Sequence, residues 1–455
     1  MKDSIGIIGG GLTALTAAKE LAESGKHVEL FEASNHLGGQ IRPYVVTSLD
    51  GDPMPIDLGC SFLFGDGLDY QQGQQKNPLV DLLRHLKPPP KLTPLSLIEQ
   101  GQVYNAQGHP IQHRLHDILR APFLTKQLER FAHALSDLAG TADPLAPLPT
   151  LHAFLETQFP PPRGPDAVEA HRLLKQSFLY QFGCPLHQVS TWNLLCENSF
   201  QGQDYFVGNV YSQLIDNLYQ SIRKLPNFHC HLRTPVQSIS EDIGNHGFNI
   251  KSAQGKIVPV SHLICCVPIK TIQEESIQFS PKLSVEKRHA FDTLRFRTLT
   301  QSLVTFAKPF WPTLSPGFSI LDDQDNAYEY LNLDQLLEKP SHTLLITLYG
   351  QRKKDALAPL STVFGKLPKI VKTQQVDPDN DPYLQGAWPF LGTNATRAHW
   401  LELQRPEFDN RLQFAGFAHT EYFGYPGDIS GAYLSGQRAA QHILNLDYQS
   451  KPMPP

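Results

Sequence analysis

The chain has 455 residues with an ordinary globular composition, 40% hydrophobic and 18% charged, and its length predicts two domains or more. Its formal net charge is -5 at pH 7 and it contains no basic run, which argues against a nucleic-acid-binding protein. No stretch of about 18 apolar residues is present, so a transmembrane helix is not expected.

Six cysteines are sparse for this length, and none stands in a CxxC spacing. We therefore expect reduced, packed thiols in a cytoplasmic protein, and no metal site. The 19 histidines form no recognisable triad or metal-ligand spacing. One of them, His419, lies close to the end of the last predicted strand, and we expect it to be structural.

The chain begins with an apolar segment that predicts a buried strand over residues 4–8 and a helix over residues 12–24, closed by Gly25. A second strand is predicted over residues 27–33. Strand, helix and strand in this order imply a parallel sheet in a doubly wound α/β domain. The helix has one apolar face, formed by Leu12, Leu15, Ala18, Leu21 and Ala22.

A glycine pattern, GxGxxA, connects the first strand to the helix through Gly9, Gly11 and Ala14. Gly9 permits a tight turn, and Gly11 lets the backbone approach a pyrophosphate at the positive helix end. Ala14 lets helix and strand pack closely. Glu32 ends the second strand, where its carboxylate can accept hydrogen bonds from both ribose hydroxyls. The segment predicts a dinucleotide site; the alternative is a Rossmann-like scaffold that binds no nucleotide.

The rest of the chain alternates between two kinds of pattern. Proline clusters punctuate helical segments after about residue 66, strands return before residue 270, and a second inserted region follows to about residue 405. The last 45 residues revert to strand, glycine loop and helix. We predict a discontinuous Rossmann-like cofactor domain with a parallel sheet, plus an inserted α+β substrate domain with a helical part. The cofactor domain comprises 1–66, 205–270 and 405–447, and the substrate domain comprises 67–204 and 271–404.

Several segments together resemble the flavin-dependent amine oxidase superfamily, which includes protoporphyrinogen oxidases and phytoene-desaturase-like enzymes. The match covers the three cofactor pieces well and the insertions poorly. It is carried by "EASNHLGGQIR" (32–42), "IDLGCSFLFG" (56–65), "YFVGNVYSQLIDNL" (205–218), "TPVQSISED" (234–242), "LICCVP" (263–268), "RFRTLTQSLVTFAKPFW" (295–311) and "LQFAGFAHTEYFGYPGDISGAYLSGQRAA" (412–440).

The resemblance implies an FAD-dependent oxidoreductase acting on a small-molecule substrate. Some members attach the flavin through a cysteine where this chain has Ala387, so we expect non-covalent FAD. Val236 is expected to meet the adenine through its backbone, and the helix after the late glycine turn to point its N-terminus at the flavin. The implied cofactor-binding residues are Gly9, Gly11, Leu12, Thr13, Ala14, Glu32, Ala33, Gly38, Gly39, Gln40, Arg42, Gly59, Val236, Gly416, Phe417, Gly427, Asp428 and Ile429.

Three positions depart from the family pattern on the cofactor side. Phe417 stands where the family has a carboxylate, and it cannot accept a hydrogen bond. Gln40 replaces an arginine, for which Arg42 is a candidate substitute, and His36 replaces the arginine before the glycine pair. We expect either reduced FAD affinity or a redistribution of these contacts.

The reaction face also differs, and three residues are the catalytic candidates. Gln301 stands where many amine oxidases have a lysine, and it is either a binder of substrate or water or a plain strand residue. Asp428 replaces an aromatic; it either anchors a cationic substrate or caps the final helix, and the cap is favoured. Trp388, or alternatively Phe390, either flanks the flavin or belongs to the core.

Three hypotheses for the function follow. The first is hydride transfer from a substrate C–H, next to an amine nitrogen, to flavin N5, with reoxidation by oxygen or another acceptor. The second is a flavin-dependent desaturase or isomerase acting on C–C bonds of an apolar or polycyclic substrate, which the absent lysine favours. The third is a non-catalytic FAD-binding scaffold. The departures from the family pattern at Phe417 and Gln40 are compatible with this hypothesis.

Overall fold

The computed structural model describes residues 4–66, 77–94, 101–111, 122–158, 168, 175, 178, 182–196, 200, 202–297, 299–312, 314–321, 327–349, 355–376, 378–419 and 429–449. Its helices are α1 (Leu12–Glu23), α2 (Pro78–Arg84), α3 (Pro122–Thr141), α4 (Leu151–Gln158), α5 (Trp192–Cys196), α6 (Val210–Ile222), α7 (Ile269–Gln273), α8 (Val285–Asp292), α9 (Leu333–Leu336), α10 (Ala358–Phe364), α11 (Arg397–Gln404) and α12 (Ile429–Gln449).

The strands are mostly short, as is usual in a mixed α/β chain. They are β1 (Ser4–Ile8), β2 (His27–Phe31), β3 (Arg42–Thr47), β4 (Pro53–Leu58), β5 (Phe62–Leu63), β6 (Thr93–Pro94), β7 (Gln102–Tyr104), β8 (Tyr205–Phe206), β9 (Phe228–His231), β10 (Val236–Asp242), β11 (Gly247–Ser252), β12 (Ile257–Val260), β13 (His262–Cys265), β14 (Gln278–Ser280), β15 (Leu294–Phe296), β16 (Leu299–Phe306), β17 (Gly317–Leu321), β18 (Ala327–Asn332), β19 (Thr343–Tyr349), β20 (Ile370–Val376), β21 (Pro389–Leu391) and β22 (Leu412–Phe414).

A parallel sheet lies at the centre of the fold, in the order β22–β13–β1–β2–β9. Helix α1 covers one face of it and packs against α6 and α12. Apolar side chains of β1, α1, α6 and α12 share one core on this side. The predicted mixed α/β class and the predicted parallel sheet are therefore confirmed.

The other face of the parallel sheet packs against a second sheet, ordered β12–β11–β10–β14. Ile8, Leu263 and Phe414 from the first sheet share a core with Ile239 and Ile250 from the second. The two layers approach closely at Gly6 of β1, where a Cβ would lie 2.5 Å from Cδ1 of Ile250. The parallel sheet is thus buried on both faces, as is usual for such sheets.

A third, largely antiparallel sheet has the order β20–β16–β19–β18–β17–β7. Its registers place Gln301 of β16 beside Thr347 of β19, and Thr347 beside Glu329 of β18. Because directly paired residues point to the same face of a sheet, these three polar side chains form one row. This row lies in strands that the sequence assigns to the inserted region.

Two details refine the predictions for the N-terminal segment. Helix α1 ends at Glu23, one residue before the predicted end, and β2 ends at Phe31 instead of Ala33. The strand ends early because the chain turns at Glu32, whose side-chain Oε1 accepts a hydrogen bond from the backbone N–H of Ser34 at 2.7 Å.

The cysteines and helices give two further findings. All six cysteines are free, and the neighbours Cys265 and Cys266 pack into different cores, as alternation along a strand requires. Burial raises the pKa of Cys60 and of Cys265 to about 12, which keeps both thiols protonated. None of the helices in the ranges given above is long and apolar enough to cross a membrane.

Candidate functional site

A cavity of about 350 Å³ lies beside the carboxyl ends of the parallel strands. Its walls come from the residues that directly follow β1, β2, β13 and β22, together with the first turn of α1. Ligands of open α/β sheets bind at this edge, in the crevice outside the carboxyl ends of the strands. The cavity thus lies where the sequence predicts the dinucleotide.

The glycine turn after β1 forms one wall of this cavity. Gly9 has a φ of 108°, and a Cβ there would lie 2.9 Å from the carbonyl oxygen of Cys266. Gly11 has an ordinary φ of -77°, and a Cβ there would meet nothing closer than 3.9 Å, at Gly38 and Gly39. Helix α1 begins after Gly11 without a side-chain cap. Its first N–H groups therefore depend on another partner, such as an anion.

Glu32 lies at the cavity, directly after β2, and only 8% of it is exposed. A Cβ at Gly10 would lie 2.7 Å from its Oε2, so the carboxylate lies close against the glycine turn. Ala33 and Val236 line the same cavity. The structure thus brings the predicted acid, the glycine turn and the predicted adenine neighbour to one place.

Gln40 and Arg42, the two candidates for the missing arginine, make different contacts. The side-chain amide of Gln40 donates to the carbonyl oxygen of Ala387 at 2.8 Å. The guanidinium of Arg42 forms an ion pair with Asp381 at 2.7 Å, and its Nε donates to the carbonyl oxygen of Gly39. Both residues line the cavity. Each also ties the loop after β2 to the segment that precedes β21.

The late glycine turn supplies a further wall. The backbone N–H of Gly416 donates to Oγ of Ser435 in α12 at 2.9 Å. Phe417, found where a carboxylate was expected, lines the cavity and packs against an apolar cluster formed by Leu299, Ala387 and Trp388. Helix α12 brings Ile429 to the cavity. The predicted residues Gly427 and Asp428 lie outside the described residues.

His419 lies at the cavity as a buried, neutral side chain. Its Nδ1 is 2.8 Å from the carbonyl oxygen of Leu403, which can only accept, so Nδ1 carries the proton. Its ring meets those of Phe291 and Phe414. Burial lowers the pKa of His419 to about 3, and the nearby Lys287 adds to this effect. These contacts agree with the expected structural role.

Of the two candidates Trp388 and Phe390, Trp388 reaches the cavity. It is buried, its indole Nε1 finds no acceptor among the described residues, and the guanidinium carbon of Arg297 lies 5.2 Å from its ring centre. Phe390, the alternative, packs in a separate core with Val189 and Leu151. The structure therefore separates the two: Trp388 borders the cavity and Phe390 belongs to the core.

Gln301 is buried, and both ends of its amide are engaged. Its Oε1 accepts a hydrogen bond from the backbone N–H of Gly59 at 2.7 Å, and its Nε2 donates to Oγ1 of Thr347 at 3.4 Å. The described lining of the cavity does not include Gln301. Its side chain thus holds the segment after β4 against the third sheet.

Glu329 is an acid that the sequence analysis missed. It completes the polar row beside Thr347, and the hydroxyl of Tyr349 donates to its Oε2 at 3.1 Å. Burial raises the pKa of Glu329 to about 7, and the hydrogen bond from Tyr349 opposes part of this rise. Tyr349 in turn packs against the cluster of Leu299, Ala387 and Trp388. The sequence did contain one signal for this residue, because Glu329 is the single acid in the otherwise uncharged strand "AYEYLN".

Comparison with known proteins agrees with this arrangement. The family described as flavin containing amine oxidoreductase matches residues 14–444. Similar proteins include lysine-specific histone demethylase 1 homolog 3 of Arabidopsis thaliana, 23% identical over 97% of this chain and 30% of that protein. Lysine-specific histone demethylase 1B of Mus musculus is 24% identical over 97% of this chain and 52% of its own length. Polyamine oxidase 1 of Zea mays is 23% identical over 96% of this chain and 90% of its own length.

The chain spans about half or less of the length of these two demethylases. The family match confirms the predicted resemblance, the oxidoreductase class and the predicted cofactor, FAD held without a covalent bond. The chain is a member of the family of flavin-containing amine oxidoreductases.

Proposed function

We propose that the chain oxidises an amine that carries a second, cationic nitrogen. Bound FAD would supply the redox chemistry, accepting a hydride from the C–H bond next to the reacting nitrogen and passing the electrons to oxygen or another acceptor. Loss of the hydride would leave an iminium, whose C=N bond forms from the nitrogen lone pair and which water would hydrolyse. The observation that carries this proposal is the half-buried carboxyl group of Glu329, which accepts a hydrogen bond from Tyr349. Tyr349 packs against the cavity-lining Trp388, and Glu329 itself lies behind the described lining of the cavity.

We also propose that the chain is divided into two domains. A discontinuous Rossmann-like FAD domain comprises 1–66, 205–270 and 405–447, and a substrate domain comprises 67–204 and 271–404. In support, every strand of the parallel sheet falls within the first set of ranges. The third sheet takes β16 to β20 and β7 from the second set.

The residues around the cavity suit FAD in their chemistry. We assign the pyrophosphate to the glycine turn and the uncapped start of α1, and the ribose to Glu32. Val236 would meet the adenine, and Phe417 would offer an apolar contact in place of the expected carboxylate. The start of α12 at Ile429 would stabilise negative charge on the reduced flavin. The remaining proposed FAD contacts are Leu12, Thr13, Ala14, Ala33, Gly38, Gly39, Gln40, Arg42, Gly59, Gly416, Gly427 and Asp428.

Trp388 has the features expected of a residue that borders the substrate. Its buried indole N–H has no acceptor among the described residues, and a buried donor of this kind calls for a partner, such as a bound ligand. Phe417 and Tyr349 extend the same aromatic wall. This wall would exclude water from the reacting C–H bond and orient the neutral amine.

Glu329 would hold the second nitrogen. A carboxyl group with a pKa of about 7 is partly ionised at neutral pH, and a bound cation would favour the ionised form.

Gln301 acts through Gly59 as a positioning residue. Asp428 is proposed to cap the start of α12. The names of the relatives, polyamine oxidase and lysine-specific histone demethylase, agree with an amine substrate that has a second basic nitrogen.

The test is anaerobic reduction of the purified yellow protein by a panel of amines, followed by steady-state kinetics of Glu329→Gln. We expect bleaching by diamines, polyamines or methylated lysine peptides. The Gln variant should raise KM for a diamine about tenfold, or about 1.4 kcal/mol, and leave KM for a monoamine of equal length unchanged. Glu286→Gln, at an exposed site on α8, is the matched control and should change neither value.

Three outcomes would overturn the proposal. A colourless protein that gains no thermal stability from added FAD would show that it is not a flavoenzyme. Bleaching by no amine, together with turnover of a polyene or a porphyrinogen, would assign the reaction to C–C bonds. Bleaching by amines with identical KM values in wild type and Glu329→Gln would reject the role of Glu329.

A further inference from the structure

Three histidines and one glutamate form a cluster at one edge of the parallel sheet. His27 and Glu29 lie in β2, and His229 and His231 lie in β9, the last strand of the sheet order. The register pairs Glu29 directly with His229. Because side chains two residues apart in a strand point to the same face, all four side chains lie on one face.

The ligand atoms of this cluster lie close together. Nε2 of His27 is 3.0 Å from Oε1 of Glu29, and Nδ1 of His229 is 3.5 Å from the same oxygen. All three atoms lie within 4.8 Å of one another. Two ligands of a tetrahedral zinc ion, each about 2.0–2.1 Å from the metal, are about 3.4 Å apart. The cluster therefore has nearly the spacing of a metal site.

His231 holds the glutamate from its other side. Its Nε2 lies 2.6 Å from Oε2 of Glu29, and its ring stacks on Phe31 with centroids 4.9 Å apart. This leaves Oε1 of Glu29 directed to the other two histidines. An imidazole that holds a carboxylate from behind in this way fixes the orientation of a metal ligand.

The cluster is separate from the FAD cavity and open to solvent. The described lining of that cavity includes none of the four residues. The side chains of His27 and His229 are 42% and 49% exposed, whereas that of Glu29 is 14% exposed. An ion could therefore enter from the solvent and keep a water in its remaining coordination position.

We propose that His27, Glu29 and His229 bind one divalent transition-metal ion. Imidazole and carboxylate ligands at this spacing suit Zn²⁺, and His231 orients Glu29 from behind. The bound ion joins β2 to the edge strand β9. It therefore stabilises the folded chain, in which the four residues meet, over the unfolded chain, in which they do not.

The test uses untagged, FAD-loaded protein that has been treated with a chelator and then freed of it. Titration with ZnCl₂ followed by calorimetry should show one equivalent bound per chain and a rise in Tm. Co²⁺ should bind competitively and give the d–d absorption of a tetrahedral site, at wavelengths beyond the flavin bands. His27→Gln and His229→Gln should each abolish that absorption, and His231→Gln should weaken binding about 10–100-fold.

His152→Gln, at an exposed position of α4, is the matched control and should bind as the wild type does. The flavin spectrum of each variant reports that the fold is intact. The proposal is overturned if the wild-type chain takes up no stoichiometric Zn²⁺. It is equally overturned if His27→Gln and His229→Gln, both retaining FAD, bind Zn²⁺ as tightly as the control.

Discussion

The side chain of Gln301 accepts a hydrogen bond from the backbone N–H of Gly59, with 2.7 Å between Oε1 and N. Gly59 follows β4 with a φ of 87°, and Gln301 lies in the third sheet. The bond therefore joins the N-terminal third of the proposed FAD domain to the sheet that carries Glu329. Gln301 thus holds backbone in place, which a plain strand residue would not do.

Replacing Gln301 by Met should lower the free energy of unfolding by about 1–3 kcal/mol, because the N–H of Gly59 loses its acceptor inside the protein. Urea unfolding of the FAD-loaded chain measures this loss. Thr347→Val removes only the 3.4 Å contact at the other end of the amide and should cost less. An equal loss in both variants would show that packing, and not the bond to Gly59, sets the stability.

Gly11→Ala should release FAD without destabilising the FAD-free protein. A methyl group there meets no protein atom closer than 3.9 Å, and the φ of -77° suits alanine, so the fold can accept it. The methyl group would still occupy space that we assign to the pyrophosphate. We expect FAD affinity to fall at least about tenfold, or about 1.4 kcal/mol, in fluorescence titrations.

Thermal unfolding of the FAD-free variants provides the control for this prediction. Gly140→Ala in α3 meets no atom within 4 Å, so it should leave FAD affinity unchanged and, because alanine favours a helix over glycine, should not lower the Tm. Gly9 has a positive φ, and a Cβ there would lie 2.9 Å from the carbonyl oxygen of Cys266. Gly9→Ala should therefore lower the Tm directly. If Gly11→Ala retained FAD with full affinity, our placement of the pyrophosphate would be wrong.

Glu32→Ala should also weaken FAD binding. Each charge-assisted hydrogen bond to a ribose hydroxyl is worth about 1.5–3 kcal/mol, so loss of the carboxylate should reduce affinity about tenfold or more. Glu32→Gln keeps one acceptor oxygen and should lie between the wild type and Glu32→Ala. Unchanged affinity in Glu32→Ala, measured by the same titration, would contradict the placement of the ribose.

Local features of the sequence predicted the backbone along one wall of the cavity well. The turn at Gly9, the start of the helix at Leu12 and the position of Glu32 all depend on a short segment, whose spacing fixes its geometry. The late glycine turn at Gly416 was predicted from the family resemblance of the C-terminal segment. Family resemblance, and not periodicity, connected these segments across 400 residues.

Other features depend on contacts between distant segments and could not be predicted. Glu329 stands beside Thr347 only because of the strand order in the third sheet. Arg42 was a candidate for the missing arginine, but its ion pair with Asp381 arises from a loop more than 300 residues away. The cluster around His27 and His229 arises because β2 and β9 are neighbours, which no spacing along the chain reveals.

His419 gives a prediction about pH. Its pKa is about 3 in the folded chain because burial disfavours the charged ring, whereas an unfolded histidine has a pKa near 6.5. Between these values the unfolded chain binds a proton that the folded chain does not. The contribution of His419 to stability is therefore fully present above about pH 6.5 and is lost as the pH falls toward about 3.

His419→Gln should remove this dependence, because glutamine does not titrate and its amide can still donate to the carbonyl oxygen of Leu403. The free energy of unfolding, measured in urea at about pH 7, 6 and 5, should fall less steeply for the variant than for the wild type. The slopes should differ by up to about 1.4 kcal/mol per pH unit below the unfolded pKa. The exposed His152→Gln should keep the wild-type slope. Identical slopes in all three proteins would mean that the folded chain protonates His419 and that its burial is not maintained in solution.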